Sequence, residues 1–246
     1  GPARSDRRGR DSGRWVALLT VGHSSQQTGS PASSAPGLRF EHHDTVGSTN
    51  TLAFEKARAG DPGRLWISAG EQTQGRGRLG RDWASPRGNL FASHLLIDPG
   101  PVKRLGELPL LAAVALAEAV DMGTGAYHLA QLKWPNDLLI DGAKLSGILT
   151  ETQARDGGYI ALLGVGINLA HAPDVARYPA TALVQHLGMP LTVEALLDRY
   201  VEALAHRYDV WCKDGFGAIR EAWIGRARWI GKTVSVENGE DRRLGL

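Results

Sequence analysis

One glycine- and arginine-rich stretch limits what this chain can fold into more than any other feature. Residues 71–83 run EQTQGRGRLGRDW. The three glycines free the backbone to adopt positive φ and to come close to a ligand, while the three arginines carry permanent planar charges between them. Apolar runs at 65–69 and 89–97 are predicted as strands on either side, so a scaffold holds both ends of the loop. The pattern predicts an anion-binding loop within a folded domain.

This loop differs from the common phosphate-binding motifs. No Gly-Lys-Ser/Thr follows it, as in a Walker loop, and it does not lead from a strand straight into a helix, as a dinucleotide fingerprint does. The alternative is an arginine-glycine RNA-binding segment, but such segments come as repeats in low-complexity tails and only one copy occurs here. We therefore expect an anion to meet arginine side chains as well as backbone amides.

Composition excludes several classes of protein. With 246 residues, 42% hydrophobic and 22% charged, the chain suits one sizeable globular domain and a smaller appendage. Its longest apolar stretch, 108–120, contains Glu118 and is too short for a bilayer, so we expect no membrane span. A single cysteine, Cys212, excludes an internal disulfide and predicts a reduced, cytoplasmic protein. A formal charge of +2 does not indicate a polyanion-binding surface.

The N-terminal segment differs in composition from the rest of the chain. Residues 1–38 are basic and rich in Arg, Ser, Gly and Pro, which predicts disorder. A targeting peptide, an upstream extension and a nucleic-acid arm all fit this composition. Folded sequence is expected from residue 39, with a strand at 38–46 and a helix opened by Ser48 or Thr49 and closed by Gly60.

A second polar motif lies in residues 131–151. Pro135 is expected to end a first strand, and Asp141-Gly142 is a two-residue hairpin signal between apolar runs. Lys133 stands between Leu132 and Trp134, and an apolar setting would strengthen its field, although a lone lysine is more often a surface residue. Further elements are expected at 105–120 and 192–213, both helices, and at 159–169, a buried strand whose glycines allow something to approach the backbone.

Four stretches together resemble biotin protein ligases: GSTN at 47–50, EQTQGRGRLGR at 71–81, KWPND at 133–137 with KLSGIL at 144–149, and GVGIN at 164–168. Their order and spacing match over about residues 40–229. The resemblance implies an α/β (α+β) catalytic domain at 39–229, with a mixed, largely antiparallel sheet flanked by helices as in class II aminoacyl-tRNA synthetases. It also implies a partial SH3-like unit at 230–246. Residues 1–38 show no helix-turn-helix pattern, so we do not expect a repressor.

The resemblance implies a reaction as well. Biotin and ATP, with Mg²⁺, would give biotinyl-5′-AMP and pyrophosphate, and biotin would then pass to a lysine of a biotin carboxyl carrier domain. No nucleic-acid or membrane partner is implied, and the chain would be a monomer or a homodimer.

Site residues follow from the resemblance position by position. Those implied in catalysis are Lys133, Arg76 and Arg78. Those implied in biotin binding are Ser48, Thr49, Asn50, Gln72, Arg76, Gly77, Arg78, Lys133, Gly147 and Gly164. Those implied in binding ATP or the adenylate are Arg76, Arg78, Arg81, Trp83, Asn136, Asp137, Lys144 and Asn168. No protein cage for a metal is implied, and Asp137 is the residue expected to contact Mg²⁺.

Two alternatives stay open. A lipoate or octanoate ligase would share the scaffold and the adenylate chemistry, but its acyl tail would leave Ser48, Thr49 and Gln72 unpaired. A non-catalytic nucleic-acid-binding protein could use the basic N-terminal segment and the arginine loop, in which case its binding would weaken steeply with salt.

Overall fold

The structure is a computed structural model that describes residues 37–174, 178–238 and 241–245. The predicted disorder of residues 1–38 falls almost entirely outside these residues. The main sheet contains seven strands: β1 Arg39–Val46, β2 Leu65–Gln72, β3 Leu90–Ile97, β4 Gln131–Lys133, β5 Asp137–Ile140, β6 Ala143–Arg155 and β7 Gly158–Ile167. The helices are α1 Thr49–Arg58, α2 Leu108–Thr124, α3 Val193–Asp214 and α4 Phe216–Arg226, and a C-terminal hairpin consists of β8 Val234–Asn238 and β9 Asp241–Gly245.

The main sheet is mixed and largely antiparallel, as predicted. Its strand order is β1-β2-β3-β7-β6-β5-β4. Only β1 and β2 pair in parallel, and the other neighbours pair antiparallel. Strands β8 and β9 form a separate two-stranded sheet. This hairpin is consistent with the small β unit expected after residue 230, whereas the domain boundaries themselves remain a prediction.

The sheet separates a large core from a small one. Alternate residues of β7 point to opposite faces, as the period of a strand requires. Leu163 and its neighbours on one face pack with α2, α3 and α4 in the large core, whereas Leu162 on the other face packs with Ala53 of α1 in the small core. Farther along β7, that second face carries Gly164 and Gly166. The strand therefore leaves open space on the α1 side, where the predicted site residues lie.

Most predicted elements are present, with two differences. The helix expected from residue 105 begins at Leu108, because Val102–Glu107 forms a 3₁₀ segment. Helix α4 was not predicted; it buries Ile219 and Trp223, four residues apart on one face. The Asp141-Gly142 hairpin is confirmed, with φ of 50° and 87° at the two residues. None of the helices in the described part of the chain is long and apolar enough to cross a membrane.

Candidate functional site

A buried polar cluster lies at the N-terminus of α1. Ser48, Thr49 and Asn50 are 6%, 4% and 3% exposed. The Thr49 amide and hydroxyl both donate to Gln72 Oε1, at 2.9 and 3.2 Å, and the Gln72 amide group donates to Ser85 Oγ at 3.1 Å. Thr49, Gln72 and Ser85 come from different parts of the chain and are thus linked by hydrogen bonds beside the buried Ser48 and Asn50. Such an arrangement can present both donors and acceptors to a ligand.

Asn50 lies directly over the sheet. Beneath it, Ser93 of β3, Gly164 of β7 and Leu149 of β6 form one row across three paired strands. Asn50 Oδ1 accepts from Ser93 Oγ, and Asn50 Nδ2 donates to Glu151 Oε2 at 2.7 Å. A Cβ at residue 164 would lie 2.2 Å from Asn50 Oδ1, so this position requires glycine. The glycines of β7 predicted that some group approaches the backbone closely, and at residue 164 that group is the Asn50 side chain.

The arginine loop forms a tight hairpin of its own. Trp83 N donates to Gly75 O at 3.0 Å, and Gly77 N donates to Arg81 O at 2.7 Å. A Cβ at residue 75 would lie 2.4 Å from Ser85 Oγ and 2.6 Å from Trp83 O, which excludes any larger residue there. The Gly77 amide is already engaged within the loop, so its predicted contact with biotin stays a prediction.

The three arginines of the loop point in different directions. Arg76 is half-buried, and its Nη1 donates to Ser48 Oγ at 3.2 Å and to Thr51 Oγ1 at 2.8 Å. Its Nη2 contacts both carboxylate oxygens of Glu151, at 3.0 and 3.2 Å. Arg78 and Arg81 are exposed. The structure therefore brings Arg76 to the polar cluster of α1 and leaves the other two charges facing solvent.

Trp83 lies over a second row of the sheet. This row contains Gly166 of β7 and Gly147 of β6, two residues along each strand from the row beneath Asn50. A Cβ would lie 2.4 Å from the Trp83 ring at residue 166 and 3.1 Å from it at residue 147. The indole Nε1 is buried and has no hydrogen-bond partner among the described residues. Gly147, Gly164 and Gly166 together form a surface that we call the glycine floor, and Trp83 covers part of it beside Asn50. The predicted contact of Trp83 with adenine is not tested by this arrangement.

Two lysines lie at the same end of the sheet. Lys144 Nζ is 2.8 Å from Asp137 Oδ1 and 5.3 Å from the centre of the Trp83 ring. Lys133 is half-buried, with its Nζ 4.7 Å from the centre of the Tyr178 ring. Leu132 is fully buried and Trp134 is 62% exposed, so the apolar setting predicted for Lys133 is present only in part. Of the two, Lys144 is the one that contacts a residue of the arginine loop.

Two asparagines assigned to the nucleotide also have structural contacts. Asn136 donates its side-chain amide to Ile148 O, and its own carbonyl accepts from Ile148 N at 2.9 Å, which attaches the β4–β5 turn to β6. Asn168 is 3% exposed and donates to Thr181 O at 3.2 Å, at the end of β7. Both contacts shape the segments that border the lysines, and a nucleotide contact of either residue stays a prediction.

Four polar residues of the site were missed by sequence reasoning. Ser93, Glu151, Thr51 and Ser85 all contact predicted site residues. Glu151 could have been found from the sequence, because it follows Gly147 and Leu149 at the two-residue spacing of a strand face. The other three are small hydroxyl residues without any distinguishing pattern.

Comparisons with known proteins give a consistent result. Residues 44–168 match the sequence model of the Biotin/lipoate A/B protein ligase family. The chain is 35% identical over 206 residues to the biotin--[acetyl-CoA-carboxylase] ligase of Paracoccus denitrificans, covering 81% of this chain and 85% of that protein. It is 34% identical over 204 residues to the bifunctional ligase/repressor BirA of Bacillus subtilis, covering 80% of this chain but spanning only 62% of that protein's length.

A solved structure has the same fold. The biotin protein ligase from Aquifex aeolicus in complex with biotin and ATP superposes with a TM-score of 0.73 at 27% identity, covering 84% of this chain and 85% of that one.

Proposed function

The chain belongs to the biotin/lipoate A/B protein ligase family, and we propose from this premise that it is an ATP-dependent biotin protein ligase. It forms biotinyl-5′-AMP from biotin and ATP and transfers the biotinyl group to a lysine of a biotin carboxyl carrier domain. The relatives named as biotin--[acetyl-CoA-carboxylase] ligases favour a carboxylase as the source of that domain.

The buried polar cluster is the observation that carries this proposal. Biotin's ureido ring offers two N–H donors and a carbonyl acceptor on an otherwise apolar bicycle. The buried Thr49 and Asn50 and the half-buried Gln72 supply donors and acceptors together near the N-terminus of α1, and Arg76 reaches the neighbouring Ser48 from the loop. These groups already bond to one another, and a dithiolane or an alkyl chain would offer nothing to the donor and acceptor capacity that they have left. The cluster therefore favours biotin over lipoate or octanoate.

The first chemical step joins two anions. A carboxylate oxygen of biotin attacks the α-phosphorus of ATP, a carboxyl–phosphate bond forms, and the bond to the β-phosphate breaks as pyrophosphate leaves. Cationic groups held where the anions meet lower the barrier to this step. Lys144 and Lys133 lie at one end of the glycine floor, and the exposed Arg78 and Arg81 can close over the phosphates. We propose that these four residues supply the positive charge.

The second step transfers the acyl group. A neutral amine of the carrier lysine attacks the biotinyl carbonyl carbon, the nitrogen loses its extra proton to solvent water, and AMP leaves with the electrons of the broken anhydride bond. The cations that stabilise the phosphate in the first step also stabilise AMP as the leaving group in the second. Asp137 faces the same space, but one of its oxygens is already paired with Lys144. We therefore place Asp137 as the partner that orients Lys144.

Magnesium would accompany the nucleotide. Within residues 37–174, 178–238 and 241–245, no group of three or more His, Cys, Asp or Glu side chains could hold a metal ion. Mg²⁺ commonly keeps several waters and is bound by substrate phosphates with one or two carboxylates. Asp137 pairs with Lys144 through one oxygen and could offer its second oxygen to the metal, while the phosphates of ATP would supply most of the other ligands.

An exchange assay tests the proposal directly. Labelled pyrophosphate should enter ATP only when biotin is present, because exchange requires the reversible formation of biotinyl-AMP. Calorimetry with biotin and with lipoate then separates the two candidate substrates. Tighter binding of lipoate, with lipoate-dependent exchange, would favour the lipoate ligase instead, and exchange without either acid would reject both.

A further inference from the structure

Glu151 joins the two elements that form the polar end of the site. It stands on β6, opposite Leu162 of the neighbouring strand β7. Its carboxylate accepts from Asn50 Nδ2 at 2.7 Å and from Arg76 Nη2 at 3.0 and 3.2 Å. One carboxylate thus contacts both the helix α1 and the arginine loop.

The Arg76 side chain depends on this contact for its direction. A free arginine side chain samples many rotamers, and ordering it costs up to about 2 kcal/mol. Here Nη2 is held by a carboxylate on a rigid strand, and Nη1 is thereby aimed at the hydroxyls of Ser48 and Thr51. The pair is partly shielded from solvent, with Arg76 and Glu151 side chains 31% and 28% exposed. A charge-assisted contact in this setting is stronger than one on an open surface.

From this geometry we infer that Glu151 is a positioning residue for biotin recognition, which holds Arg76 and Asn50 in their binding arrangement before the ligand arrives. The inference rests on the proposed function, since it assumes that the polar cluster receives the ureido ring. It adds a residue that touches neither reacting atom and acts through two others.

The substitution Glu151→Gln tests this inference because it removes the charge and keeps the shape. Calorimetry should show that the Kd for biotin rises on the order of tenfold, as expected when a charge-assisted contact that orders a ligand-binding arginine is weakened. The Kd for a non-hydrolysable ATP analogue should stay unchanged, since Glu151 contacts Asn50 and Arg76 and none of the four cations proposed for the phosphates. A merely structural effect would change the binding of both ligands and lower the melting temperature.

A double-mutant cycle tests whether Glu151 influences biotin binding through Arg76. In an Arg76→Ala background, Glu151→Gln should weaken biotin binding by less than about twofold, because the arginine is gone and the Gln oxygen can still accept from Asn50 Nδ2. Full additivity of the two substitutions would overturn the inference. Glu151→Asp keeps the charge on a shorter side chain and should bind biotin with a Kd between those of wild type and Glu151→Gln.

A matched control comes from the opposite face of the sheet. Glu118 of α2 accepts from Arg207 Nε of α3 at 2.9 and 3.1 Å, and the two side chains are 22% and 20% exposed. Glu118→Gln removes a similar ion pair and should leave the Kd for biotin unchanged. Unchanged or tighter biotin binding by Glu151→Gln would overturn the inference, and tighter binding would mean that Glu151 competes with the ligand for Arg76. A wild-type chain that does not bind biotin at all would instead reject the proposed function.

Discussion

The close approach of Asn50 to Gly164 is possible only because glycine has no Cβ atom. A methyl group at residue 164 would lie 2.2 Å from Asn50 Oδ1, well inside van der Waals contact. Asn50 is 3% exposed and is held from two sides, by Ser93 and Glu151, so it cannot move away without breaking those contacts. The strand has a glycine here because a polar side chain of another element occupies the space of its Cβ.

We therefore predict that Gly164→Ala displaces Asn50. The Kd for biotin should rise by more than about tenfold, and the free energy of unfolding should fall by about 1–3 kcal/mol through overpacking. The control is Gly217→Ala on helix α4, where a Cβ would meet nothing within 4 Å. Calorimetry and chemical denaturation of the two variants give both quantities. Normal biotin binding by Gly164→Ala would show that Asn50 can move without loss.

His94 is a residue whose charge state is coupled to folding. It is stacked on Trp66 with ring centres 4.5 Å apart and planes 3° from parallel, and neither ring nitrogen has a hydrogen-bond partner among the described residues. Burial, with a smaller contribution from the charge of Arg64, lowers the pKa of His94 from 6.5 to about 3. The folded protein thus keeps this imidazole neutral, whereas the unfolded chain protonates it near its ordinary pKa.

The sign of the pH dependence follows from this difference. Because the unfolded state binds the proton more readily, stability is complete above the ordinary pKa of 6.5 and is lost as the pH falls towards about 3. The loss approaches about 1.4 kcal/mol per pH unit. His94→Phe keeps the stacked ring and should remove this component, so that wild type loses about 2 kcal/mol more than the variant between about pH 7 and pH 5. Urea denaturation of both proteins at the two pH values measures these free energies of unfolding. Equal losses in wild type and in His94→Phe would mean that His94 does not change its protonation on unfolding.

At the scale of elements, the arginine loop shows what sequence reasoning can and cannot supply. Its position between two strands, its glycines and its charge were predictable, because each follows from local residue chemistry. The direction of each arginine was not, since it depends on partners that are distant in sequence, such as Glu151 for Arg76. The same applies to Ser48. It occupies the N-cap position of α1, as expected, but makes no side-chain capping bond and accepts from Arg76 instead.

Helix α4 was missed for a related reason. Gly215 ends α3, and Gly217 and Gly225 then weaken the helical pattern that follows it. Its helical state depends on the burial of Ile219 and Trp223 in the large core with α2 and α3, and that tertiary contact is invisible in a local window. Strands of the main sheet were easier, since burial on both faces gives continuous apolar runs.

The orientations in the loop predict separate roles for two of its arginines. Arg76 contacts the polar cluster, whereas Arg78 is exposed. Arg76→Ala should therefore raise the Kd for biotin in the absence of nucleotide, and Arg78→Ala should leave it nearly unchanged but release more free biotinyl-AMP during turnover, because an outward charge can contact only a bound phosphate. Calorimetry with biotin and a chromatographic assay of released adenylate compare the two variants. Equal effects on biotin binding would contradict the separation.

At the scale of the whole molecule, the two faces of the main sheet have different roles. The large core with α2, α3 and α4 fills one face, and the small core under α1 fills only part of the other. The glycine floor occupies the remaining part, where Asn50 and Trp83 lie over neighbouring rows of β7. Stability and recognition therefore depend on largely different residues of the same strands, because adjacent residues of a strand point to opposite faces.

The C-terminal hairpin belongs to neither face of the main sheet. Strands β8 and β9 pair with each other in their own sheet, whereas the preceding segment is attached to the main sheet through Arg228 N, which donates to Leu132 O at 2.8 Å. An isolated two-stranded hairpin is marginally stable in water. The catalytic fold should therefore not need the hairpin, provided that the attachment at Arg228 is kept.

We predict that a chain ending at Gly231 keeps the fold and binds biotin with a Kd within about twofold of that of the chain ending at Leu246, as expected for distant and independent parts of a molecule. Calorimetry with biotin and thermal unfolding of both chains measure this. A chain ending at Arg226 is the matched comparison, because it also removes the attachment of residue 228 to β4 and should unfold at a lower temperature. A tenfold or greater loss of biotin affinity in the chain ending at Gly231 would contradict the prediction. It would mean that the hairpin contacts the face of the sheet on which α1 lies.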